Sequence, residues 1–311
     1  MRVFVAGASG AIGRPLIPKL VAAGHDVTGM TRSEAKAEDV RSAGASAAVV
    51  DVFDADAVRV AVEQASAEVV VHELTALPER LDFRREDLYA ATNRCRSEGT
   101  RNLLDAARAA GTRRFVSQSI AFAYRPEGAR VKSEDEPLLD AAPGGFGSAM
   151  DALREMESSV LGAEGIEGLV LRYGFFYGPG TYYAADGSTV ADVRRRRLPI
   201  VGKGSGVFSF IHVDDAADAT VAAVEHGAPG VYNITDDEPA PMSEWVPVLA
   251  QAAGAKPPRR VPAWAARLFA GKGATDFALE LRGASNEKAK RELGWRPAHP
   301  SWRAGFAESL R

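Results

Sequence analysis

The stretch Val3-Phe4-Val5-Ala6-Gly7-Ala8-Ser9-Gly10-Ala11-Ile12-Gly13-Arg14-Pro15-Leu16-Ile17 decides how the chain is read. A short apolar run breaks into a turn with glycine at every third position and passes into an amphipathic segment, the order strand, turn, helix. Glycines there permit a tight reversal, let backbone approach a pyrophosphate, and leave its negative charge facing a helix N-terminus. The spacing is G-x-x-G-x-x-G, not G-x-G-x-x-G, and a glycine-rich turn by itself is only a turn. Its place in the first βα unit points to a bound dinucleotide, with Gly7, Gly10, Ala11, Ile12 and Gly13 around the phosphates.

Working outward, short apolar runs alternate with longer amphipathic ones, as a parallel sheet with crossover helices requires. Strands are expected near residues 2–6, 26–30, 47–51, 69–72, 114–118 and 168–172, with helices ending at signals such as Gly24 and Gly111. The fold class is therefore α/β, a doubly wound parallel Rossmann sheet. After Gly178-Pro179-Gly180 the pattern becomes turn-rich, with helices expected around 243–252, 262–270 and 286–293. The run Val231-Tyr232-Asn233-Ile234 follows a helix from Asp214 to Glu225 and returns to the main sheet, so the lobes interleave. Residues 1–180 with about 207–235 are expected to form the dinucleotide domain. Residues 181–206 and 236–311 form a smaller C-terminal substrate-binding lobe.

Composition excludes little but points one way. In 311 residues, 38 basic side chains meet 41 acidic ones for a formal charge of −3, which gives no electrostatic reason to expect nucleic acid or an anionic membrane as partner. Arg194-Arg195-Arg196-Arg197 reads as a solvated helix end. The single cysteine, Cys95, cannot form an internal disulfide and suits a reducing cytoplasm. The opening residues lack the basic and apolar regions of an export signal, and no run reaches the roughly 18 apolar residues of a membrane span. No metal site is assigned.

The second strand ends in Thr31-Arg32-Ser33, where an NAD site usually places an acid against the ribose hydroxyls. An arginine with two hydroxyls suits a 2′-phosphate, so NADP (NADPH) is the expected cofactor; the other reading is a solvated Arg32 in a loop. Asp51-Val52 closes the third strand, where the carboxylate accepts from the adenine amino group, or else caps the following helix.

The chain resembles the extended or atypical short-chain dehydrogenase/reductases, the superfamily of nucleotide-sugar epimerases, dehydratases and many secondary-metabolite reductases. The likeness rests on six ordered motifs: the glycine turn, Val71-His72-Glu73-Leu74-Thr75-Ala76, Gly99-Thr100-Arg101-Asn102-Leu103-Leu104, Leu171-Arg172-Tyr173 leading to Tyr177-Gly178-Pro179-Gly180, Phe210-Ile211-His212-Val213-Asp214-Asp215, and Leu293-Gly294-Trp295-Arg296-Pro297. It implies that Leu74, Thr75, Ala76 and Ser117 also line the cofactor and that His72 and His212 are structural. It is also compatible with a homodimer through helices near 85–110 and 147–163, monomers being the other state such chains adopt.

In that family a hydroxyl after strand five and a Tyr-x-x-x-Lys pair on the next helix perform the proton transfer that accompanies hydride transfer. Ser119 matches the hydroxyl, but Phe146-Gly147-Ser148-Ala149-Met150 stands where the pair belongs. A phenol of ordinary pKa ~10 needs a neighbouring cation to act near neutrality, phenylalanine has no proton to give, and such assistance is worth about 10²–10⁴-fold. Tyr124 and Tyr177 are the replacement donors to weigh, each against a packing role, and Asp151 is a weaker one. Phe175 and Phe208 occupy positions where relatives contact a sugar nucleotide's diphosphate. With Phe146, Met150 and Phe176 they suggest an apolar substrate, unless they belong to the core. The leading reading is an NADP(H)-dependent oxidoreductase on a small, largely apolar carbonyl or enone. Redox-neutral isomerisation, dehydration or ring closure comes second, and a non-catalytic NADP(H) sensor third.

Overall fold

Seven strands form one parallel sheet: β1 (Arg2–Ala6), β2 (Asp26–Thr31), β3 (Ser46–Val49), β4 (Val69–His72), β5 (Arg114–Ile120), β6 (Glu167–Tyr173) and β7 (Gly230–Ile234). Their spatial order is β7-β6-β5-β4-β1-β2-β3. The computed structural model describes residues 1–80, 86–140 and 145–310, with the side chains of residues 86 and 145–146 outside that description. Valine and other apolar residues dominate the central strands because helices cover both faces, leaving no polar side to alternate with. The strand order reverses between β1 and β4, and that switch point opens the crevice in which such sheets bind ligands.

The helices are α1 (Gly13–Ala22), α2 (Glu34–Ser42), α3 (Ala55–Gln64), α4 (Ala90–Arg94), α5 (Thr100–Ala109), α6 (Gly145–Leu161), α7 (Ser188–Arg194), α8 (Val213–Glu225), α9 (Met242–Ala252), α10 (Ala263–Glu280), α11 (Glu287–Glu292) and α12 (Trp302–Ser309). One face of the sheet packs on α1 and α8 through Val3, Val5, Leu16, Ile17, Val116 and Ala219. The other packs on α3, α5 and α6 through Phe4, Val58, Val62, Leu103, Phe115 and Val160. Gly24 and Gly111, at φ of +83° and +68°, reverse the chain after α1 and α5, a conformation that a side chain would strain.

The second lobe has its own aromatic core of Tyr177, Tyr183, Phe208, Phe210, Trp245, Trp302 and Phe306. A division at residue 180 does not follow the packing, because Tyr177 lies in this second core while Ala289, Leu293 and Trp295 return to the sheet's own core. The C-terminal segment is tied down by Asp215, whose carboxylate accepts from the backbone N–H groups of Ala298 and His299, both at 2.9 Å. No helix among the described residues is long and apolar enough to cross a membrane.

Candidate active site

The crevice begins at the glycine turn. Gly7 has φ +97°, and a Cβ there would lie 2.8 Å from the Glu73 carbonyl carbon, so the turn closes against the end of β4 only without a side chain. At Gly13 a Cβ would collide with the carbonyl oxygens of Gly7 and Ala8. Gly10 differs: a Cβ would meet only the Gly7 carbonyl oxygen, at 3.2 Å, and otherwise open space. The first turn of α1 has neither a side-chain cap nor an acidic residue. Within that turn the Arg14 and Leu16 N–H groups donate to the carbonyls of Gly10 and Ile12, at 3.1 and 3.0 Å, and Pro15 has none, so the helix end presents its positive partial charge at Gly13 and the turn before it, and the residues present fit a diphosphate. Arg14, which the sequence reading did not single out, reaches across from the turn toward Gly180. A recess of about 260 Å³ lies there between Ala11, Arg14, Pro15, Pro179, Val213 and Asp214.

At the end of β2 the buried Thr31 hydroxyl lies 3.4 Å from Ser9 Oγ, and Arg32 is exposed without an ion pair among the described residues. Asp51 is not the cap of α3. Asp54 caps it, accepting from the Ala57 N–H at 3.0 Å, while Asp51 Oδ1 accepts from the Phe53 N–H at 3.1 Å. Val52 is buried and fixed through its carbonyl, which accepts from Asn102 Nδ2 at 2.9 Å. Cys95 is buried nearby. Burial pushes its thiol up despite the field of Arg32, which leaves it a poor nucleophile.

Beyond β4, the N–H groups of Leu74 and Ala76 are already committed, to His72 Nδ1 at 3.2 Å and Thr92 Oγ1 at 3.0 Å. Leu74, Thr75 and Ala76 therefore shape the crevice chiefly by their path. His72 is fully buried against Thr100 Oγ1 at 3.1 Å, and burial lowers its pKa to about 4, so it packs as a neutral ring.

Glu73 is the residue that the sequence reading quoted but gave no role. Its carboxyl is buried, one oxygen has no partner, and burial pushes its pKa up to about 8. Tyr173 Oη lies 2.9 Å from Glu73 Oε1 and 2.7 Å from Thr220 Oγ1, and the Thr220 hydroxyl donates to the Ala216 carbonyl at 2.8 Å. With the threonine proton spent, the one phenolic proton cannot serve both remaining contacts, and a proton on Glu73 completes the set. Strand alternation puts Gln118, whose buried Nε2 also lacks a partner, on the same face of the neighbouring strand.

Ser119 and Tyr124 are brought into one buried network. The Ser119 hydroxyl donates to Glu157 Oε1 at 2.6 Å, and Arg172 grips both oxygens of Glu157, at 2.9 and 2.6 Å. Arg172 also donates to Tyr124 Oη at 3.0 Å, and the Tyr124 hydroxyl donates to Asn233 Oδ1 at 2.7 Å. Burial raises the Tyr124 pKa, with Arg172 acting against the rise. Ser117 is fully buried, its hydroxyl turned back on the Gln118 carbonyl at 3.3 Å. Tyr177 is elsewhere, fully buried and edge-on to His212 and Phe306 at 5.1 and 5.5 Å; it packs the second lobe and does not face Ser119. Met150 is likewise core, against Ala123, Leu153 and Met156, and Asp151 is held by Arg154 at 2.5 Å. The Phe146 side chain lies outside the described residues.

An aromatic cluster packs against the second lobe's core, of which Phe208 is a buried member. Phe122 and Phe175 stack at 4.2 Å and 16°, half-buried, with Phe208 4.9 Å and Phe277 6.2 Å from Phe175. Phe176 instead packs on Tyr173 in the sheet core.

Comparisons agree with this geometry. Residues 3–235 match the family model described as the NAD dependent epimerase/dehydratase family. The chain is 48% identical over 307 residues to a 3-diazoavenalumate denitrifying reductase of a Streptomyces species, covering 98% of this chain and 99% of that protein. It is 28% identical to a 4-hydroxy-2-methyl-3-oxo-4-farnesyl-3,4-dihydroquinoline-1-oxide ketoreductase of Stigmatella aurantiaca, covering 95% of this chain and 92% of the relative. Among solved structures, the UDP-glucose 4-epimerase of Thermus thermophilus complexed with NAD superposes with a TM-score of 0.75 at 25% identity, covering 100% of this chain and 98% of that one.

Proposed function

The chain belongs to the NAD dependent epimerase/dehydratase family and is an oxidoreductase of the short-chain type, and from that premise we propose that it is an NADPH-dependent reductase of an apolar aromatic electrophile bearing a diazo group. When bound, the nicotinamide cofactor supplies a hydride. The glycine turn and the first turn of α1 would hold its diphosphate, and Arg32 would pair with a 2′-phosphate. The half-buried faces of the Phe122, Phe175 and Phe277 cluster would pack against the substrate ring and exclude water from it.

The observation that carries this reading is the commitment of Ser119 and Tyr124 to Glu157, Arg172 and Asn233. Reduction of a carbonyl makes an alkoxide that must be protonated, which is the work of the hydroxyl and the Tyr-x-x-x-Lys pair. Reduction of an aryl diazonium group needs no such donor. Hydride forms the C–H bond, the C–N bond breaks, dinitrogen leaves with that electron pair, and no proton is consumed. The name of the 48% identical relative, a diazo denitrifying reductase, supports the same chemistry.

The test is turnover of an aryl diazo carboxylate against aryl ketones and enones, with NADPH deuterated at the transferred position. The expected result is deuterium at the former C–N carbon, with dinitrogen released in step with cofactor oxidation. An Arg32→Ala variant should lose preference for NADPH over NADH. Reduction of the ketones with the diazo compound untouched would refute the reading in favour of ketoreduction.

A further inference from the structure

Residues 193–203 and 253–273 contain ten basic side chains and no acidic one, within a chain whose total charge is −3. Folding brings the two segments together. The Arg194 and Arg196 guanidinium groups donate to the carbonyls of Ala253 and Pro257, at 3.4 and 3.1 Å. Ile200 N–H donates to the Arg259 carbonyl and Gly202 N–H to that of Val261, both at 2.8 Å, in the short strand pair of Arg260–Val261 with Ile200–Val201. Arg267 and Lys272 pair with Asp276. The other eight, the four of Arg194–Arg197 together with Lys203, Lys256, Arg259 and Arg260, make no ion pair among the described residues. The near-neutral total, which gives no reason to expect an anionic partner, averages this region away.

The same surface carries the most exposed large apolar side chains of the described residues: Trp264 at 69%, Leu268 at 74% and Phe269 at 81%. Trp264 and Leu268, four residues apart, share one side of the first two turns of α10, Phe269 follows at the end of this half of the helix, which breaks at Gly271, where φ is +84°, and Ala265 and Ala266 are buried between them. Exposed tryptophan, leucine and phenylalanine at one end of a helix, beside arginines without ion pairs among the described residues, are what an element lying in a bilayer interface presents. A nucleic acid or an acidic protein would answer the charge alone. A headgroup layer over acyl chains answers both features without requiring shape complementarity.

We propose that the Arg194–Arg197, Arg259–Arg260 and Trp264–Phe269 surface docks the enzyme peripherally on anionic phospholipid. The other three tryptophans, Trp245, Trp295 and Trp302, are buried at 1%, 5% and 0%, so Trp264 reports its own environment. With the full-length chain, phosphatidylcholine vesicles containing phosphatidylglycerol should blue-shift the tryptophan emission and sediment the protein, and high salt should reverse both. Vesicles of phosphatidylcholine alone should do neither. One basic residue near such a surface is worth roughly fivefold in partitioning. Reversing Arg195, Arg197, Arg259 and Arg260 to Glu should therefore lower it by roughly a hundredfold or more, and Trp264→Ala with Phe269→Ser should abolish the blue shift and weaken sedimentation. No sedimentation with phosphatidylglycerol vesicles, or equal sedimentation of the charge-reversed chain, would overturn the proposal. So would retention on heparin or an acidic protein without any affinity for these vesicles.

Discussion

Glu73→Gln isolates the buried carboxyl beneath the crevice. Glutamine keeps the shape and a hydrogen-bonding oxygen near Tyr173 but cannot ionise. The carboxyl titrates near 4.5 when the chain is unfolded and at about 8 when folded, because burial penalises the charged form. Its contribution to stability is thus fully present below about pH 4.5 and is lost as pH rises through about 8. Above that, native and unfolded chains both carry the charge, and the native one bears it in a dry site. The interval corresponds to about 5 kcal/mol as an upper bound, at 1.36 kcal/mol per pH unit. Urea denaturation of both forms across about pH 5 to about pH 9 should give curves that nearly coincide at the acid end. They should then separate progressively, with the glutamine form more stable by several kcal/mol at the alkaline end. His72, whose folded pKa is lowered to about 4, titrates in both forms and cancels from the difference. A stability difference that does not change with pH would refute the argument, since it would mean that Glu73 ionises in the native chain as readily as in the unfolded one.

Two further substitutions probe the network that holds Ser119. Ser119→Ala should leave reduction of a diazo substrate within a few-fold of the parent, where a hydroxyl serving a carbonyl would be missed by about 10²–10⁴-fold in turnover. Glu157→Gln leaves the buried Arg172 without its counter-charge and should destabilise the chain by about 3–5 kcal/mol, measured by the same denaturation, without altering nucleotide affinity in the surviving folded fraction.

Much of this was legible in residue order, and the misses have a common cause. The glycine turn, the six early strands and the return of Val231–Ile234 beside β6 follow from local apolar runs and their punctuation, which act over a few residues. Tyr177 looked available because it precedes a Gly-Pro-Gly turn. What buries it is α12, whose Gly305 has no side chain to obstruct the ring. Ser119 looked free because nothing near it in sequence is acidic. Its partner Glu157 is 38 residues later on α6, and only the packing of that helix on β5 brings them together. Glu73 did leave a signal that went unread: an acid directly after the buried run Val69–His72, at a position strand alternation turns inward. Its raised pKa, by contrast, comes from burial by elements distant along the chain, with the Tyr173 hydrogen bond acting against the rise.

The late segment that closes both cores bears on how the molecule comes apart. Ala289, Leu293 and Trp295 fill the sheet's core, and Trp302 and Phe306 fill the other, so one short stretch is a shared keystone. Its contacts lie far from it along the chain, an arrangement that slows folding because long loops must close before those contacts form. The two lobes then have little freedom to melt one at a time: loss of the segment exposes apolar interior in both. A single sharp transition is the thermal signature of such an arrangement, and a nick between α11 and α12 would release both lobes together.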